Sequence, residues 1–313
     1  MHYLLLASAL LVGCLLAVQT SVNLQLNKAV GTPYGASTVQ LSAAAVLLLI
    51  IGTVFGAQNA LGTLPDATWW HLLGGLASPL YITSGILLFP RLGALLTVGL
   101  FVTGQMFASL GLDLFGLLGV SKKPPSVVIV LGALAVLAGI TAIVRGQKAA
   151  ARQAGSGAPP ALARTGWLLL GLVAGAVLPI QGAVNAKLRA DLDEPLAVGL
   201  VSFIVATLTI LIVLLVLLAT RRTPHPDLGN LRTVPWWGWL GGACAAAYVV
   251  ATFMLIPEIG AATTVALTVT GQQLASALID QYGVFRLPRR PLSTARLTGL
   301  TLLVLGCLLV QLG

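Results

Sequence analysis

Charge is what this chain most lacks. Asp, Glu, Lys and Arg make up 8% of its 313 residues, and only eight of these are acidic. A soluble domain carries about 25% charged residues, so this chain could not cover a folded surface with polar groups. Cysteine is scarce too. Cys14, Cys244 and Cys307 are odd in number and each lies in an apolar run, which favours packing over disulfides or metal ligation. His2, His71 and His225 share no metal-ligand spacing. A nucleophile–base constellation and a phosphate-binding loop are both missing, and the 35 glycines are spread along apolar segments. The expectation is a chain that is not an enzyme or an ATP-driven pump, with no metal and no cofactor.

What is present is hydrophobic length. Apolar residues make up 58% of the chain and mean hydropathy is +0.99. Leu41–Val54, Leu95–Leu112, Val127–Val144 and Val198–Ala219 each sit in an uncharged window of about 18–25 residues, enough to cross a hydrocarbon core roughly 30 Å thick. These runs are continuous rather than alternating, so helices and not a β-barrel must satisfy the backbone. Breaks at proline, glycine and charge predict ten helices: 3–26, 34–56, 69–89, 91–113 and 124–145, then 165–187, 195–220, 235–256, 258–283 and 292–312. The third and fourth helices of each set are joined only by Pro90-Arg91 and Pro257-Glu258, with Glu258 read as the N-terminal cap of the ninth. The first segment lacks a basic leader and a cleavage site and is read as a permanent span.

The ten helices are five, written twice. Trp69-Trp70, Gly74-Gly75, Tyr81, Pro90, Gly93, Gly104-Gln105, Ala108-Ser109, Asp113 and Gly116 return 167 positions later as Trp236-Trp237, Gly241-Gly242, Tyr248, Pro257, Gly260, Gly271-Gln272, Ala275-Ser276, Asp280 and Gly283. Over that stretch 21 of 48 aligned residues are identical. Gln19, Asn23 and Pro33 return as Gln181, Asn185 and Pro195 at an offset of 162. The expected fold class is an all-α integral membrane protein of ten transmembrane helices arranged as two inverted five-helix repeats, 1–145 and 165–313. A linker at 146–164, rich in Ala, Gly and Pro, joins them. An odd helix count per repeat forces the second to be inverted relative to the first. Because one chain holds both repeats, a monomer can be complete.

Basic residues set the orientation. With the amino terminus outside, thirteen of the seventeen face the cytoplasm and four (Lys122, Lys123, Lys187 and Arg189) face out. The linker is then cytoplasmic and both termini are outside. The net charge of +9 matches loops that meet anionic lipid headgroups, and calls for no nucleic-acid partner. Trp69-Trp70 and Trp236-Trp237 read as interfacial anchors. Gly52-x-x-x-Gly56 and Gly171-x-x-x-Gly175 read as helix-packing motifs.

On these residues the chain resembles the drug/metabolite transporter superfamily. Its Gln-x-x-x-Asn helix (Gln19/Asn23, Gln181/Asn185) and its Pro-x-x-Gly … Gly-Gln … Ala-Ser … Asp signature are similar to the YdcZ-like bacterial family. The resemblance implies a secondary transporter in the bacterial inner membrane, and it supplies no substrate. One departure is informative: small multidrug exporters of the superfamily carry a glutamate in the first helix, whereas Leu4–Asn23 and Leu168–Ala186 hold no acid.

Polar residues inside the spans are few enough to weigh one by one. Gln19/Asn23 and Gln181/Asn185 each share one helix face, and amides are costly against lipid. They either clamp helices together or line a substrate path, and both readings stay open. Pro179, just before Gln181, can kink its helix. Gln105 and Gln272 sit mid-span beside glycine and either pack helices or contact substrate, and Tyr81 and Tyr248 either stack on a ligand or pack the core. These eight residues form the candidate substrate-binding set. Asp113 and Asp280, the only duplicated acids, end their helices against an unfavourable dipole. They are candidates for gating or proton coupling, or for helix-end salt bridges, with Lys122 or Lys123 balancing Asp113 and Arg286 balancing Asp280. The function expected is a secondary transporter, an exporter of a small metabolite or amphipathic compound, working by alternating access at the repeat interface. Its partners would be membrane lipids and a small-molecule substrate. The alternative is a non-transporting membrane protein, such as a lipid scramblase or a structural partner subunit. A channel is a weaker third, since no charged ring of the kind pores use is present.

Overall fold

A computed structural model describes residues 2–120, 122, 124, 126–153, 161–259 and 261–312. Among the described residues it has ten α-helices and no strand. They are α1 (His2–Val30), α2 (Pro33–Val54), α3 (Ala77–Leu92), α4 (Ala94–Phe115), α5 (Val127–Gln153), α6 (Ala161–Leu192), α7 (Pro195–Ala219), α8 (Leu240–Ile259), α9 (Ala261–Tyr282) and α10 (Thr294–Leu312). Eight stretches among them are long and apolar enough to cross a membrane. Large apolar side chains lie exposed along α7 at Ile204, Leu208, Leu211, Ile212 and Leu215, and along α5 at Val127, Val130, Leu131 and Leu134. Such surfaces suit lipid and not water.

Several boundaries depart from expectation for local reasons. α3 runs through Pro90 and Arg91 and stops at Gly93, whose φ of 82° is open to glycine but strained for other residues. α8 likewise continues through Pro257 and Glu258, so Glu258 lies in the last turn of α8 and does not cap α9. The Trp-rich starts of the third and eighth spans are 3₁₀ turns, Trp69–Leu76 and Trp236–Trp239. Trp69 and Trp236 are exposed there, as anchors require. Gly56 does not pack a helix; at φ 78° it opens the turn after α2 and a side chain there would meet open space. α5 extends to Gln153 and α6 begins at Ala161, so both ends of the 146–164 segment are helical; residues 154–160 lie outside the described set.

Contacts group the chain into two compact units, and these are not the two sequence halves. One unit holds 1–17, 88–177 and 255–313; the second holds 18–87 and 178–254. Each draws on both halves, and the boundary at 87/88 recurs at 254/255, 167 positions on.

In the first unit, glycine lets helix backbones touch. A Cβ on Gly13 (α1) would come within 1.9 Å of Thr268 O (α9), and one on Gly271 within 1.9 Å of Leu10 O. The other half copies the contact: Gly175 (α6) meets Phe101 O (α4) at 2.0 Å, and Gly104 meets Leu172 O at 2.0 Å. α5 and α10 do the same, Gly132 against Gly306 O at 2.8 Å and Gly139 against Gly299 O at 2.7 Å. Lipid offers no hydrophobic drive between helices, so this close backbone approach is a main source of packing energy.

The second unit repeats the theme. A Cβ on Gly75, in the turn before α3, would come within 2.1 Å of Ser202 O and 2.9 Å of Ala206 N of α7, and one on Gly242 of α8 within 3.0 Å of Ala43 Cβ and Ala44 N of α2. Leu188, Leu192, Ala197, Val198 and Val201 form a buried cluster covered by Ala60, Leu61, Leu64, Ala67, Leu72 and Val205.

Candidate functional site

Six of the eight candidate binding residues fall in the second unit, four of them in two matching nests. In one, α6 presents Gln181 and Asn185 to Ser78 (α3) and Ser202 (α7). Gln181 Nε2 donates to Ser78 Oγ at 2.9 Å and lies 3.4 Å from Ser202 Oγ; Asn185 Nδ2 donates to Ser202 Oγ at 3.2 Å. Asn185 Oδ1 lies against the backbone of Gly74, 1.9 Å from where a Cβ would stand. In the other nest, α1 presents Gln19 and Asn23, with 3% and 1% exposure, beside α2 and α8. Asn23 Oδ1 lies against Gly241, 2.0 Å from the Cβ position, and Gln40 Nε2 donates to Gly241 O at 3.3 Å. Asn23–Gly241 and Asn185–Gly74 are one contact written twice, each joining the two sequence halves.

Tyr81 is buried and Tyr248 half-buried in α3 and α8. Gln105 and Gln272 lie in the first unit. Gln105 is half-buried with Nε2 unpaired among the described residues, and Gln272 is buried. Next to Gln272, Gln273 is fully buried with neither amide atom paired among the described residues.

The duplicated acids have diverged. Asp280, 3% exposed, accepts from Ala94 N at 2.8 Å and Leu95 N at 3.2 Å, capping the amino terminus of α4. Its positive partner is Arg296, 2.5 Å away, and not the expected Arg286. The loop after α9 folds back, with Arg290 N donating to Asp280 O at 2.7 Å and Arg290 Nη2 to Pro90 O at 2.9 Å. Burial lowers the Arg290 pKa from its ordinary value, and the Asp280 carboxylate opposes that shift; an arginine stays charged regardless. Asp113 is half-buried and has no hydrogen bond or ion pair among the described residues. It lines a cleft of about 20 Å³ with Ser109, Ile129 and Gln311, room for about one water. The position matching Arg296 is Ile129, so the counter-charge has no copy in the first half. Lys123 lies outside the described residues.

Three features escaped the sequence reading. Gln40 faces Asn23, and its match 162 positions on is Ser202; a polar residue at both positions was the available signal. Ser78 has only Ala245 as its match, so the repeat filter passed over it. His71 is 9% exposed with Nδ1 2.5 Å from Asp191 Oδ2, a pairing across 120 residues that no spacing announces. Among the described residues no group of His, Cys, Asp or Glu could hold a metal.

Long apolar helices, duplicated glycine contacts and buried amides define an internally repeated, multi-pass helical membrane protein. The chain belongs to the DMT_YdcZ family, described as "Putative inner membrane exporter, YdcZ", whose model matches residues 4–142 and 166–309. The family places it in the inner membrane among transporters. A solved chain described as "Crystal structure of protein" aligns over 98% of this chain and 97% of its own length, with a TM-score of 0.57 and 18% identity, a likeness of fold. No curated protein matches.

Proposed function

We propose that this protein is a secondary exporter of a small neutral or amphipathic compound, working by alternating access of two inverted five-helix repeats. In this reading all ten helices span the membrane, α8 and α9 included. The linker at 146–164 is cytoplasmic, the termini are outside, and one chain suffices. The observation that carries it is the paired contact set. When each helix crossing has a copy built from the other half, exchanging the two arrangements gives a second conformation of similar energy facing the opposite side, the requirement for alternating access.

The substrate-contacting residues proposed are Gln19, Asn23, Tyr81, Gln181, Asn185 and Tyr248 in one unit, and Gln105 and Gln272 in the other. Asp113 is the acid proposed for gating or proton coupling, because Asp280 is committed to a helix cap and an arginine. Binding energy here comes from a few placed polar groups in apolar surroundings. The test is efflux from proteoliposomes holding purified protein, screened across neutral and amphipathic metabolites. Saturable flux with counterflow, lost in Gln105→Ala with Gln272→Ala or in Asn23→Ala, is the expected result. A substrate whose flux survives both variants would remove the residue assignment. Lipid flip-flop without solute flux would replace the proposal with a scramblase.

A further inference from the structure

The two amide nests of the second unit are matched in sequence but not in bonding. In the α6 nest, Gln181 and Asn185 are held by Ser78 and Ser202. In the α1 nest, Asn23 Oδ1 and Nδ2, Gln19 Oε1 and Gln40 Oε1 are all buried without a protein partner among the described residues. The difference has a sequence cause. Ala245 stands where Ser78 stands in the other half, so the hydroxyl that holds Gln181 has no copy for Gln19. Burying an amide atom unpaired is unfavourable, and the α1 nest carries four such atoms where its twin carries one, Asn185 Oδ1.

We propose that the α1 nest is the recognition side of the substrate site and the α6 nest its structural counterpart. The unpaired inventory is three acceptors and one donor. A complementary ligand group is therefore neutral, with at least two donors and one acceptor, as in a primary carboxamide or a vicinal diol. Charge is disfavoured because residues 18–27, 33–54 and 240–254, the stretches of α1, α2 and α8 around the nest in this unit, contain no Asp, Glu, Lys or Arg. Gly241 lets the Asn23 amide reach the backbone of α8, its Oδ1 standing 2.0 Å from where a Cβ would lie. This inference rests on the transporter reading and names which half of its site reads the substrate.

The test is equilibrium binding to purified full-length protein, using benzamide and 1-phenyl-1,2-ethanediol as probes. Acetophenone (no donor), benzoate and benzylammonium are the comparators. At least one neutral donor probe is expected to bind about tenfold or more tighter than acetophenone, because a site built for hydrogen bonds rejects an analogue that lacks them. Asn23→Leu with Gln40→Leu, which removes three unpaired buried atoms and one bond, Gln40 Nε2 to Gly241 O, is expected to abolish that preference, read by binding to the folded protein. Ala245→Ser, which supplies the missing hydroxyl, is expected to raise the melting temperature and weaken the probe. Ser78→Ala is expected to lower the melting temperature while leaving the preference in place. Absence of saturable probe binding, tighter binding of a charged comparator, or an unchanged preference in Asn23→Leu/Gln40→Leu would overturn the inference. Its failure is distinguishable from failure of the transporter reading. Probe binding without counterflow removes transport and keeps the nest; counterflow that survives Asn23→Leu/Gln40→Leu keeps transport and removes the nest.

Discussion

Replacing Asp280 by Ala should be among the most damaging single changes outside the glycine contacts. The carboxylate accepts two backbone N–H bonds from the first turn of α4, at 2.8 and 3.2 Å, and pairs with Arg296 at 2.5 Å. Both partners of the pair are nearly inaccessible, with side-chain exposures of 4% and 3%. Removing one member of a buried pair costs about 3–5 kcal/mol because the other charge stays buried. The lost cap adds about 1 kcal/mol, partly within the same total since one carboxylate makes every bond. For a chain of this size that corresponds to a fall in melting temperature of roughly 10 °C. Asp113, half-buried with no partner among the described residues, gives the internal control: Asp113→Ala should shift stability by no more than about 0.5 kcal/mol. The assay is thermal unfolding of purified protein in detergent, with Asp280→Asn included because it preserves shape while removing charge. Equal, small effects at the two acids, each under about 1 kcal/mol, would refute the claim that they have diverged.

Gly175→Ala should destabilise the chain by about 1–3 kcal/mol, because its Cβ would lie 2.0 Å from Phe101 O, a backbone atom that cannot swing aside. Gly182→Ala, facing open space seven residues further along the same helix, should be neutral or slightly stabilising; melting curves of the two compare them directly. Lys148→Cys, at an exposed position near the end of α5, should react with a membrane-impermeant maleimide in inside-out vesicles and not in right-side-out ones. The reverse would invert the proposed topology.

Helix number and pairing of the halves were legible because hydrophobic length and a constant 167-residue offset are properties of the chain itself. The duplicated αL glycines confirm the register locally: Gly116 and Gly283 end α4 and α9 at φ 65° and 66°. What sequence could not show was where a helix stops when two breakers compete. Pro90 looked like the stop, yet α3 runs on through it to Leu92, and it is Gly93 that takes the positive φ ending the helix. Arg286 was the nearest cation to Asp280 along the chain, but it sits in a left-handed turn at φ 59° and the loop returns Arg290 and Arg296 instead. The amides were found by duplication; their unequal bonding depends on Ser78 against Ala245, a non-duplicated position that a search for repeats discards.

The central claim is alternating access, and the reactivity of a single cysteine at Gln181 tests it most directly, in a background where Cys14, Cys244 and Cys307 are replaced. The account predicts that Gln181→Cys is labelled by a membrane-impermeant thiol reagent from each side of the membrane in turn, with substrate shifting the balance between sides. Labelling from neither side, or from one side only under every condition, would contradict it.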